Sequence, residues 1–139
     1  MKNIMILIIT IMIFSCGTDQ GEAKKYIYTL VNQSEKTIKI KAFKSAKPQL
    51  APGIINLGIG EEFIKTFQDN LPPSGYNFSK FFQGDSLEII YNNEKRQIFK
   101  FNGSSSNSKN PFYHHGTEIT FVFTVQDYQN AEDCNGNCD

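Results

Sequence analysis

Residues Tyr26–Ala42 read YIYTLVNQSEKTIKIKA, and this stretch decides the class of fold. Tyr26-Ile27-Tyr28-Thr29-Leu30-Val31 is dense in aromatic and β-branched residues, which suit a pleated, half-buried surface. Thr37-Ile38-Lys39-Ile40-Lys41-Ala42 alternates strictly, so Ile38, Ile40 and Ala42 share a core face while Thr37, Lys39 and Lys41 share a wet one. With the polar run Asn32-Gln33-Ser34-Glu35-Lys36 between them, the two segments predict a β-hairpin with one face in water.

The same reading extends outward along the chain. Pro48, Pro52 and Gly53 mark a connection, and Ile55-x-Leu57-x-Ile59 and Phe63-x-Lys65-x-Phe67 are two short strands. Leu71-Pro72-Pro73-Ser74-Gly75 is a loop. Leu87-x-Ile89-x-Tyr91 is a strand, Asn92–Lys95 a tight turn, and Gln97–Phe101 the returning partner. A polar loop follows from Gly103 to Asn110. The last strand is expected to turn Ile119, Phe121 and Phe123 inward, because the opposite register would bury the Glu118 carboxylate unpaired. Thr124-x-x-Asp127 is a capping-box signature and opens one short helix with Val125, Tyr128 and Ala131 on its apolar side. About seven short strands separated by polar turns predict an all-β fold, an antiparallel sandwich with a short C-terminal helix. A small closed barrel is the alternative.

Ahead of this domain the chain begins MKNIMILIITIMIFSCGTDQ. Lys2 precedes an apolar run, Ile4 to Phe14, broken only by Thr10, which is the layout of a secretory signal. As a helix the run spans about 16 Å, roughly half a bilayer core, too short for a permanent membrane anchor. Ile13-Phe14-Ser15-Cys16 resembles a lipobox, with an aliphatic residue three before the cysteine and a small one beside it; Phe14 is bulkier than the usual occupant of its slot. The resemblance implies that residues 1–15 are a cleaved signal peptide and that Cys16 carries lipid as the new first residue. A plain secretory signal with a chance cysteine is the competing reading. Residues 16–24 then form a flexible tether and residues 25–139 the β-sandwich domain. Gly17 is not the aspartate that commonly retains such proteins in the inner membrane, so the outer membrane is preferred. The Tyr28-to-Ile40 segment, the Asp85-Ser86-Leu87-Glu88-Ile89 strand start and the C-terminal strand resemble the small immunoglobulin-like β-sandwich lipoproteins of Gram-negative bacteria.

Charge and chemistry narrow the function. The 14 basic and 14 acidic residues balance over the whole chain, with no block of one sign, which argues against nucleic acid and against a polybasic membrane patch. Gly84-Asp85-Ser86-Leu87 spells the nucleophile motif of the GDSL hydrolases. That family needs a downstream Asp-x-x-His; the chain's two histidines, His114 and His115, have Pro111 and Phe112 in the required aspartate positions. A serine without a positioned base has no route to activation, so no catalytic residue is assigned and the protein is expected not to be an enzyme. Cys134-Asn135-Gly136-Asn137-Cys138 suits a disulfide in an exported protein, closed by the tight Asn-Gly-Asn turn. A zinc site would recruit His114 and His115, but adjacent side chains on an extended chain diverge, and no metal or other cofactor is expected. Tyr76, Phe78, Phe81 and Phe82 are a candidate stacking platform for sugars, weighed against simple core packing in a chain with 12 phenylalanines and no tryptophan. The expected function is a lipid-anchored, non-enzymatic envelope protein with a binding or structural role toward an unidentified partner. A carbohydrate-binding surface lipoprotein is the rival.

Overall fold

The computed structural model describes residues 22–47, 49–70, 74–101 and 109–138. The expected signal segment, Cys16, most of the expected tether, Pro48, the Leu71-Pro72-Pro73 part of the expected loop and most of the Gly103–Asn110 run lie outside the described residues. The strands are β1 (Lys25–Gln33), β2 (Ile38–Phe43), β3 (Gly53–Leu57), β4 (Glu62–Gln68), β5 (Ser86–Tyr91), β6 (Lys95–Lys100), β7 (Glu118–Thr124) and β8 (Glu132–Asp133). Two short helices, α1 (Phe78–Phe82) and α2 (Val125–Asn130), and a 3₁₀ turn at Pro111–Tyr113 complete the described elements. The strands form two sheets, ordered β4-β1-β7 and β3-β2-β5-β6-β8, so the fold is an all-β sandwich with a short C-terminal helix.

β1 and β2 do not form the expected hairpin. They lie in opposite sheets, β1 between β4 and β7 and β2 between β3 and β5. β2 keeps the face expected of it, with Ile38 and Ile40 in the core beside Tyr28 and Leu30 of β1. The connection is an arch rather than a flat turn, because Asn32 and Ser34 point inward and are buried. The Asn32 amide donates to the carbonyls of Lys36 (2.7 Å), Leu57 (3.3 Å) and Gly58 (2.8 Å), and its oxygen accepts from the Ser34 N–H and hydroxyl. Its main chain bonds Glu61 and Gly60, so the β3–β4 crossing is held by the same residue. Ile59, expected in a strand, stands exposed in that second arch.

Pairing of β1 with β4, β2 with β5 and β5 with β6, with β3 beside β2, follows the B–E, C–F, F–G and C′ order of an immunoglobulin sandwich. β7 fills the place beside β1 that a first strand would take, and it runs parallel to β1, an exception to the expected antiparallel order. Both arches lie at one end of the sandwich. The other end holds α1 and the start of β1, where Lys25 pairs with Gln68 and Asp69 N–H reaches the Lys24 carbonyl.

Along β7, Phe121 and Phe123 are buried, Ile119 is half-buried, and Glu118 and Thr120 are exposed, as the register argument required. Phe121→Ala should therefore destabilise the domain by about 3–5 kcal/mol, while Thr120→Ala should cost under about 1 kcal/mol. Urea melts of the two variants check this; comparable losses would contradict the assigned face.

Candidate functional site

Asn77 caps α1 by accepting from the Lys80 N–H, and the helical turn that follows wraps Phe78, Phe81 and Phe82 onto one side. All three are buried, as is Tyr76. Phe78 packs against Tyr28 (4.8 Å between ring centroids), Phe81 (5.5 Å) and Phe82 (5.6 Å). Tyr76 stacks face to face on Phe67 at 4.4 Å, so the surface a sugar would need is already covered. The four aromatics are core and not a solvent-facing platform. The i, i+3, i+4 spacing of the three phenylalanines was the available signal for this helix.

Gly84, Asp85 and Ser86 have structural uses. A Cβ on Gly84 would come within 2.6 Å of the Phe43 carbonyl oxygen, so the close approach of two backbones requires glycine there. Asp85 accepts from the Ser45 N–H and hydroxyl, which hold its carboxyl below the usual range and tie the start of β5 to the end of β2. Ser86 lies opposite Phe43 and Lys100 in the five-stranded sheet. His114 follows the 3₁₀ turn and packs edge-on against Phe121 of the other sheet, 5.6 Å between centroids. Cys134 and Cys138 lie at disulfide distance with their Cα atoms 5.3 Å apart. Among the described residues no group of three His, Cys, Asp or Glu side chains is placed to hold a metal ion.

At the arch end lies an open pocket of about 350 Å³ bordered by Thr37, Lys39, Asn56, Gly58, Asn92 and Asn93. Ile90, buried, contributes an apolar surface to it. Asn92 (φ 48°) and Asn93 (φ 59°) both adopt the left-handed conformation that a type I′ hairpin turn demands, which asparagine tolerates. That turn is braced from the C-terminal tail. Asn93 donates to Asn137 (2.8 Å) and accepts from the Cys138 N–H (3.2 Å), while the Cys134 N–H reaches the Glu94 carbonyl. Glu94 accepts from the Tyr128 hydroxyl (2.8 Å) and the Asn92 amide (2.8 Å) and pairs with Lys36 at 3.6 Å. Carboxamides, a hydroxyl and an ammonium around an apolar surface can hold a polar, uncharged ligand through directional hydrogen bonds. These residues come from the arch, β2, β3, β5 and the hairpin turn, and nothing in their spacing along the chain announces the pocket.

No family model, curated protein or solved structure matches the chain.

The Glu94 brace has a pH signature. Hydrogen bonds from Tyr128 and then Asn92, with the Lys36 charge, outweigh partial desolvation and hold the Glu94 carboxyl below its ordinary 4.5. Its stabilising contribution is therefore present above 4.5 and lost as pH falls through the lower folded value. An NMR titration of Glu94 should give a midpoint below 4.5 that moves back up in Tyr128→Phe.

Proposed function

We propose that the chain is a lipid-anchored, non-enzymatic protein of the bacterial cell envelope, with a β-sandwich that serves a binding role at the arch-end pocket. The observation that carries this reading is the N-terminal sequence: a short apolar run closing on Ser15-Cys16, nine positions before the first strand begins at Lys25. Lipid on Cys16 would hold the domain by acyl burial at about 0.8 kcal/mol per methylene, enough with two signals for stable attachment. The outer membrane is preferred. The fold supports a binding role because β1 enters from the α1 end, which leaves the arch-end pocket facing away from the anchor. A second reading, a carbohydrate as the ligand, draws support from the amides of Asn56 and Asn92 beside Ile90, in place of the buried aromatics.

Cys16→Ser should abolish palmitate labelling and release the protein from membranes. Sedimentation with membranes after a salt wash would overturn the anchor. The cysteine pair supports an oxidising compartment. Intact mass should rise by two hydrogens on reduction, and Cys134→Ser should cost no more than about 2 kcal/mol because the closed loop is short. Free thiols in protein taken from the periplasm would contradict this.

A further inference from the structure

Lys65 occupies a position where the pattern of β4 calls for an apolar residue. It lies between Phe63 and Phe67 on the inward face and pairs across the sheet with Tyr28, a fully buried residue. Its ammonium donates to the Phe81 carbonyl at 3.2 Å and sits 5.7 Å from the Phe81 ring centre. Among the described residues no carboxylate pairs with it. β3 and β4 are edge strands of opposite sheets, and the gap between them is a cleft of about 220 Å³ lined by Ile40, Ile55, Phe63, Lys65, Phe81 and Phe82. A cleft walled mainly by apolar side chains, with Gln83 and one cation that pairs with no carboxylate among the described residues, is complementary to a molecule with an apolar tail and an anionic head.

The geometry points to this cleft as a binding site for a single-chain alkyl carboxylate, its tail between the sheets and its carboxylate on Lys65. At about 30 Å³ for a water-sized group, the cleft holds about seven such groups, which matches a medium-length chain rather than a two-chain lipid. Two of the three Lys65 ammonium hydrogens remain for the carboxylate once Phe81 has taken one. The cleft lies toward the α1 end, where the chain enters from the proposed anchor, so it would face the lipid surface. That last support rests on the anchor reading, whereas the lysine and the cleft do not.

The test uses the full chain carrying Cys16→Ser, ¹⁵N-labelled and titrated with sodium octanoate, sodium butyrate and 1-octanol. Octanoate should shift the amide signals of Ile55, Phe63 and Phe81, and each methylene removed should weaken binding by about fourfold. 1-Octanol should bind at least about tenfold more weakly, since it lacks the charge-assisted bond. Lys65→Met should abolish the preference for octanoate over octanol, and Lys65→Arg should retain it, with β-sheet circular dichroism unchanged in both. Equal binding of octanoate and octanol to the parent chain would overturn the proposal. So would an unchanged preference in Lys65→Met, or shifts confined to residues outside the cleft. Membrane release by Cys16→Ser is read separately, so failure here leaves the anchor standing and failure of the anchor leaves this site standing.

Discussion

Everything in this sandwich hangs on how the chain passes from one sheet to the other, and one buried carboxamide governs both crossings at the arch end. Asn32 shares two amide hydrogens among three carbonyls, two of them on the β3–β4 arch, while its own oxygen holds Ser34. Buried carbonyls left without donors would each cost on the order of 1–3 kcal/mol, so one side chain that satisfies several at once fixes the spacing of the sheets at that end. Leucine at this position would fit by volume but would leave the arch carbonyls unpaired, and aspartate would carry a charge with no amide hydrogens to donate.

At the other end the same problem is solved by aromatic packing. α1 has no room for a long helical face, yet its single turn plugs the opening with three phenylalanine rings that reach Tyr28, Phe63, Phe112 and Phe121. Burial pushes the Tyr28 phenol up, and the Tyr26 and Tyr76 phenols add to it. Its hydroxyl spends its hydrogen bonding on the Tyr76 and Gly116 carbonyls, both from segments that cover this end. One end is thus closed by directional polar bonds and the other by interlocking rings, and the two candidate sites sit beside these two kinds of closure.

What the sequence disclosed follows from what period-two patterning encodes. Alternation assigns each residue a face, so the inward sets of β2, β5 and β7 were legible, and Glu118 alone chose the register of β7. Alternation does not assign partners. β1 and β2 read equally well as a hairpin or an arch, and the burial of Asn32 and Ser34 that separates the two is a tertiary fact hidden in a run that looks like a solvated turn. Local hydrogen-bond logic was legible where donor and acceptor are close in sequence, as in the Thr124–Asp127 capping box and the Asn92–Asn93 turn. The pocket and the Lys65 cleft were not, because each gathers side chains from strands far apart in the chain. Lys65 was visible only as the polar member of Phe63-x-Lys65-x-Phe67 that shares the phenylalanines' parity.

The parallel pairing of β1 with β7 has a kinetic meaning. Leu30 lies beside Phe121, so the first strand of the domain finds one of its two neighbours only when nearly the whole chain is present. The loop that must close for this contact is almost as long as the domain, and such non-local pairings slow folding because ordering precedes the reward. Because synthesis runs from the N-terminus, β1 is made early and waits. Until β7 arrives, the β1 edge it will cover carries unpaired backbone groups beside Ile27 and Val31, a ready template for a neighbouring chain. The domain is thus most exposed to aggregation before β7 is in place, when the edge of β1 is still open.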